Sequence, residues 1–366
     1  MSTVRVEIRP RPYEVRIEHG LLKDSGAAIA QWRGGRKGRV FVVTVAPVRK
    51  LWGGKLRESL TRAGLDAHFL EIGDGERSKT LGTVQRLAGS MVRGGADRHA
   101  ALLAFGGGVV GDVTGLLASV YMRGIDLVQF PTTLLAQLDA AVGGKNGVNL
   151  AAGKNLIGTI HQPLGVLIDP ELLKTLPERE YRAGLYEALK CGVIRDPAIF
   201  AFMEKKREAI LARDREALEW LITACVRVKA EVVAADEREE GLRRILNFGH
   251  TLGHALEAET AYKTFLHGEA VGWGMVGAAL IAAALRRTET TVTQRIGSAV
   301  MAYGPLPRVT VRSRAVARRM RSDKKTLGGK IHFILPRKIG EVEVADDVPE
   351  SAVLEAIEDL RYLSQR

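Results

Sequence analysis

The chain has 366 residues, 46% hydrophobic and 26% charged, a globular composition with room for about two domains. Its only two cysteines, Cys191 and Cys225, lie outside any CxxC pair; this excludes a disulfide framework and a thiolate-held metal, and points to a reducing, cytoplasmic compartment. The net charge of +12 raises nucleic-acid binding, but the basic residues are dispersed, aromatics are 5% and no zinc-finger spacing occurs, so no nucleic-acid partner is expected.

In chain order, the opening MSTVRVEIRPRPYEV carries early charges and prolines, which do not make a secretory apolar region. Short apolar runs at Val40–Val43, Ala101–Phe105, Leu127–Phe130 and Val166–Ile168, each followed by a break, read as strands. Helical stretches at Lys55–Ala63 and Thr83–Arg93 lie between them, and such alternation predicts a parallel sheet covered on both faces. From Pro177 the texture changes to helices at Glu180–Gly192, Pro197–Arg213, Arg215–Ala235 and Gly249–Ala258. Ala270–Leu285 is the longest apolar run, too short for a membrane span and rich in Gly and Ala, so a buried helix is expected over 270–287 and no membrane partner. Ile331–Leu335 reads as a late strand and Ser351–Leu363 as the closing helix. The expectation is an α/β domain over residues 1–176 followed by a mostly helical domain over 177–366.

Three blocks carry chemistry. GGGVVGD (Gly106–Asp112) follows an apolar strand, and its glycines would let the backbone approach a pyrophosphate at a helix N-terminus. Its position about 100 residues into the chain argues against an ordinary Rossmann domain. YMRG, PTTLLAQLDAAVGGKNGVN and GKN follow, with Gly-Lys pairs at 144–145 and 153–154 in what read as anion-binding loops. The third block is NFGHTLGHALE with FLHGEA. On a helix His250 and His254 face the same way, and with His267 they suit a divalent cation with open coordination positions. Spacing alone selects His250 and His254 as the ligand pair and leaves the carboxylate unidentified.

Together these blocks resemble the 3-dehydroquinate synthase family of sugar phosphate cyclases. GGGVVGD, YMRGIDLVQFPTTLLAQLDAAVGGKNGVN, GKNLIG, TLPERE, AGLYEALKCGVI, DEREEGLRRILNFGHTLGHALE, HGEAV and SDKK occur in that family's order, from about Gly75 to Lys325. The resemblance implies a Rossmann-like NAD-binding α/β domain, a C-terminal helical metal- and substrate-binding domain, and a homodimer. It puts one divalent metal, zinc or cobalt, on Glu187, His250 and His267, and turns His254 into a substrate-phosphate contact. NAD would be held by Glu76, Lys79, Gly107, Gly108, Asp112, Thr132 and Thr133, with Asp139, Lys145 and Lys154. Substrate would meet Lys145, Lys154, Asn155, Lys229, Arg243, Asn247, His254 and Lys324, with Arg123 reaching across the dimer. Asp139, Lys145, Lys190, Glu239 and His254 would serve catalysis.

The implied reaction converts 3-deoxy-D-arabino-heptulosonate 7-phosphate to 3-dehydroquinate and phosphate, a step of the shikimate route to aromatic amino acids. The surplus positive charge suits so anionic a substrate. Arg243, Asn247 and His254 favour this over cyclases whose substrates lack a carboxylate. An amino-dehydroquinate synthase and a metal-dependent glycerol or alcohol dehydrogenase are the alternatives. Two departures from the family pattern stand out. Val45 occupies the turn where an Asp usually binds the adenosine ribose, which leaves tolerance of NADP open, and Ala140 and Ala141 replace two serines.

Overall fold

Strand β3 (Val40–Val45) sends alternate side chains to opposite faces of a sheet, and both faces are buried. Phe41, Val43 and Val45 enter one core with Leu102, Ala104 and Leu127; Val40 and Val42 enter the other with Leu103, Phe105, Val128 and Phe130. The computed structural model describes residues 2–9, 11–36, 38–151, 153–322 and 331–365.

The strands in chain order are β1 (Ser2–Val6), β2 (Tyr13–Ile17), β3, β4 (Ala67–Ile72), β5 (Ala101–Gly106), β6 (Asp126–Pro131), β7 (Lys145–Leu150), β8 (Gly153–Ile160), β9 (Gly165–Ile168), β10 (Phe333–Lys338) and β11 (Glu341–Ala345). Seven form one sheet in the order β1-β2-β9-β6-β5-β3-β4, parallel except for the β1–β2 pair. Helices Ser25–Arg33 and Ala46–Arg62 supply one covering core, and Leu81–Arg93 and Gly108–Val120 the other. From β3 the chain moves outward to β4, then returns to place β5 on the other side of β3. The order therefore reverses between β3 and β5, where open α/β sheets bind ligands at the strands' carboxyl ends.

The chain divides into two compact units. The first contains Met1–Leu176 together with Leu218–Arg238, and the second contains Pro177–Ala217 and Glu239–Arg366. The expected division at 176 thus differs over 218–238, most of the helix Arg215–Ala235, which groups with the α/β unit. Nothing in that helix's own sequence marks which core its apolar face joins.

The second unit is mostly helical, with the small β10–β11 hairpin. The helix expected over 270–287 starts earlier, at His267, and ends at Ala284. Residues 197–213 form two pieces, Pro197–Lys205 and Arg207–Leu211, rather than one helix. No helix among the described residues is long and apolar enough to cross a membrane.

Candidate active site

At the end of β5, Gly106 and Gly107 lead into the helix Gly108–Val120. β6 runs parallel beside β5, with Gly106 opposite Pro131, so Thr132 and Thr133 follow directly alongside the glycines. Thr132 N–H donates to Gly106 O at 2.9 Å, and a Cβ on Gly107 would stand 3.1 Å from Thr133 Cγ2. The helix thus opens on glycines at 106, 107 and 108, whose backbone N–H groups carry no side chain of their own to shield them, a setting suited to a pyrophosphate. Val45 ends the neighbouring β3 and is buried, so that strand end offers no carboxylate to a ribose.

Further along the same helix, Asp112 pairs with the buried Lys79. Burial pushes the Asp112 carboxyl above its usual range, against the pull of Lys79. Glu76 accepts from Asn149 Nδ2 at 2.7 Å, while Asn149 N–H donates to Lys79 O at 2.9 Å. Asn149 Oδ1 in turn accepts from the backbone of Asn155, which takes a left-handed φ of 53°. Glu76, Lys79, Asp112 and Asn155 are thus one network through Asn149, a residue the sequence reading did not single out.

Asp139 lies in a single π-helical turn, Ala136–Ala140, of a kind frequent at functional sites. It pairs with the buried Lys229 from the helix that joins this unit. The two Gly-Lys pairs were expected in loops; instead Lys145 opens β7, and Gly153 and Lys154 open β8, of one antiparallel hairpin. Arg123 is exposed on the turn after Gly108–Val120, at the opposite end of that helix from Gly107.

In the second unit three helices bring the histidines together. His250 and His254 lie one turn apart on His250–Glu259, His267 opens His267–Ala284, and Glu187 sits on Glu178–Ile194. Their approach depends on glycine. A Cβ on Gly268 would lie 1.8 Å from Ala183 O, and one on Gly274 would lie 1.8 Å from Gly249 O. Backbones in contact at those two points bring side chains of all three helices close together.

One ring nitrogen from each of His250, His254 and His267 falls within 4.8 Å of the others. Glu187 Oε1 lies 3.7 Å from His250 Nε2 and 3.5 Å from His267 Nε2. The ring atoms behind them are engaged: His250 Nδ1 meets Phe248 O at 3.1 Å, and His267 Nδ1 meets Glu257 Oε2 at 3.2 Å. Each Nδ1 can donate its proton to its partner, so both Nε2 atoms can offer lone pairs beside Glu187. This donor set fits a divalent cation. Burial alone would lower the His267 pKa, but hydrogen bonds to Glu187 and Glu257 raise it to about 9.

Lys190, buried on the same helix as Glu187, forms an ion pair with it. Asn247 Nδ2 donates to Glu239 Oε1 at 2.6 Å, Glu239 having a left-handed φ of 63°. Arg243 is buried in the short helical segment Leu242–Asn247. Lys324 lies outside the described residues. Sequence reasoning missed Glu257, and also Arg179 and Glu269, which hold the start of the His267 helix. Glu269 accepts from Leu266 N–H at 2.8 Å and pairs with Arg179 at 2.6 Å. The i, i+7 spacing of His250 and Glu257 is the signal that could have revealed the first.

Family models described as 3-dehydroquinate synthase N-terminal and C-terminal match residues 69–183 and 184–326. A 3-dehydroquinate synthase of Koribacter versatilis is 57% identical over 364 residues, spanning 100% of this chain and 99% of the relative. The chain belongs to the 3-dehydroquinate synthase family. Among solved structures, a 2-epi-5-epi-valiolone synthase from Streptomyces hygroscopicus subsp. jinggangensis, with NAD+ and Zn2+ bound, matches with a TM-score of 0.89 at 29% identity, over 97% of this chain and 98% of its own. A 2-deoxy-scyllo-inosose synthase complexed with carbaglucose-6-phosphate, NAD+ and Co2+ also gives 0.89, at 26% identity over 98% of this chain and 100% of its own. The 3-dehydroquinate synthase family thus shares with other sugar phosphate cyclases the α/β unit and helical unit seen in this chain.

Proposed function

We propose that this protein is a lyase that converts 3-deoxy-D-arabino-heptulosonate 7-phosphate to 3-dehydroquinate and phosphate, in the cytoplasm, as a step of the shikimate route. The observation that carries the reading is the 57% identity to a 3-dehydroquinate synthase along the whole chain. Arg243, Asn247 and His254, the residues that cyclases for substrates lacking a carboxylate tend to change, are all present here. Neither the amino-dehydroquinate nor the dehydrogenase alternative has an observation in its favour.

Glu187, His250 and His267 would hold the metal, zinc by preference, and the surface at Gly107, Gly108, Thr132 and Thr133 with Glu76, Lys79 and Asp112 would hold NAD. When bound, NAD supplies reversible hydride transfer and the metal supplies Lewis-acid polarisation of the reacting hydroxyl. The chain's own residues position and neutralise. Arg243 presents a rigid guanidinium to the substrate carboxylate, a pairing that can be bidentate. Lys145, Lys154, Asn155, Lys229 and Lys324 separate the anionic groups and fix one pose. Asp139 holds the Lys229 ammonium in place by their ion pair.

In this reading His254 donates to the phosphate and leaves the metal to Glu187, His250 and His267, while its own ring nitrogen also lies within 4.8 Å of those of the two histidines. Lys190 neutralises and orients Glu187. Glu239 orients the Asn247 amide toward the substrate. The protein acts as a homodimer in which Arg123 serves the partner's phosphate site. Exposed Val120 and Met122 beside Arg123 support an interface there.

The test is incubation of the zinc-loaded protein with the heptulosonate phosphate and catalytic NAD. Phosphate should be released many times over per NAD, with no net NADH. Background-level phosphate, or NADH accumulating in step with product, would refute the reading.

A further inference from the structure

We propose that Glu257 is a positioning residue that orients the His267 imidazole and fixes its tautomer for metal binding. The inference rests on the reading of Glu187, His250 and His267 as a divalent-metal site. Glu257 lies at i+7 from His250 and i+3 from His254 on the helix His250–Glu259, so all three project from one stripe of that helix. It is only 2% exposed, and glutamate is almost never so buried unless paired. Its Oε2 lies 3.2 Å from His267 Nδ1. With Nδ1–H donating there, Nε2 is the ring atom left to offer a lone pair, and it stands 3.5 Å from Glu187 Oε1.

The two metal-side imidazoles are therefore backed differently. His250 leans on a neutral carbonyl, that of Phe248, at 3.1 Å. His267 leans on a carboxylate, which both fixes the ring and strengthens it as a donor. His267 has more need of this, because it opens its helix and its side chain is 33% exposed against 9% for His250. A buried ion pair serving only to hold two helices together would also bring Glu257 to His267. The two roles separate in the metal's own behaviour.

The experiment uses the full chain, stripped of metal and titrated with cobalt(II), with zinc affinity read by chelator competition. Glu257→Ala should weaken both metals roughly 10- to 100-fold and alter the visible cobalt bands. Glu257→Gln keeps the side-chain volume and an oxygen able to accept from Nδ1, so it should recover much of that loss. Wild-type affinity and wild-type cobalt bands in both variants would overturn the proposal. A wild-type chain that takes up no cobalt or zinc would instead overturn the metal reading beneath it.

Discussion

Gly268→Ala tests whether the metal centre is built by backbone contact between helices. The added Cβ would stand 1.8 Å from Ala183 O, where ordinary contact begins at 3.4 Å. Neither partner is a side chain that can swing aside, so the helices His267–Ala284 and Glu178–Ile194 must part by about 1.6 Å. His267 is the adjacent residue, and Glu187 lies one turn from Ala183, so the strain falls on the 3.5 Å gap between their donor atoms. Functional geometry tolerates about 0.5 Å, so metal affinity should fall at least tenfold, and overpacking should cost about 1–3 kcal/mol. Chelator competition reads the first and denaturant unfolding of the metal-free protein the second. Gly297→Ala is the control, since a Cβ there meets nothing within 4 Å and should be neutral or slightly stabilising. A Gly268→Ala protein with wild-type affinity and midpoint would refute the reasoning.

Metal uptake should also be pH-linked. In the metal-free protein His267 keeps its proton up to about pH 9, so binding at neutral pH must expel it. Affinity should climb roughly tenfold per pH unit toward that value, with about one proton released, measurable by calorimetry in buffers of different ionisation enthalpy. The sign for folding is the reverse. A raised pKa stabilises the metal-free protein fully below the ordinary value of 6.5, and that contribution is lost as pH rises through about 9. Absence of proton release near pH 7 would contradict both statements. At the ribose end, Val45→Asp should raise the ratio of NADP to NAD activation constants by supplying the missing 2′-hydroxyl acceptor. An unchanged ratio would show that β3 does not face the ribose.

Continuous apolar runs made β3, β5, β6 and β9 legible, because a doubly covered strand has no polar face to confuse the reading. β2, YEVRI, alternates apolar with charged residues, a mixture that hides it from a reading keyed to continuous apolar runs. The helix Ala46–Arg62 was recognised only in its second half. Its first turn follows β3 without a break and carries Pro47, which the first turn of a helix permits. His250 and His254 were legible as a pair, since four-residue spacing is local information. Glu187 reaches His267 through one glycine contact, Gly268 against Ala183, between helices far apart in sequence, and no periodicity encodes such a meeting.

The chain crosses between its two units three times, at 176–177, 217–218 and 238–239. Neither half is therefore a cassette that can be cut out at a single point. The junction of the two family models, between 183 and 184, falls inside the helix Glu178–Ile194 and ahead of Glu187. A fragment begun at 177 would also carry Leu221, Ile222, Val226 and Val233, which are buried in the intact chain, without the α/β core they belong to. Such a fragment would expose an apolar helix face and tend to aggregate. Shuffling between cyclases would have to exchange residues 218–238 along with the N-terminal half, so that Lys229 keeps its partner Asp139.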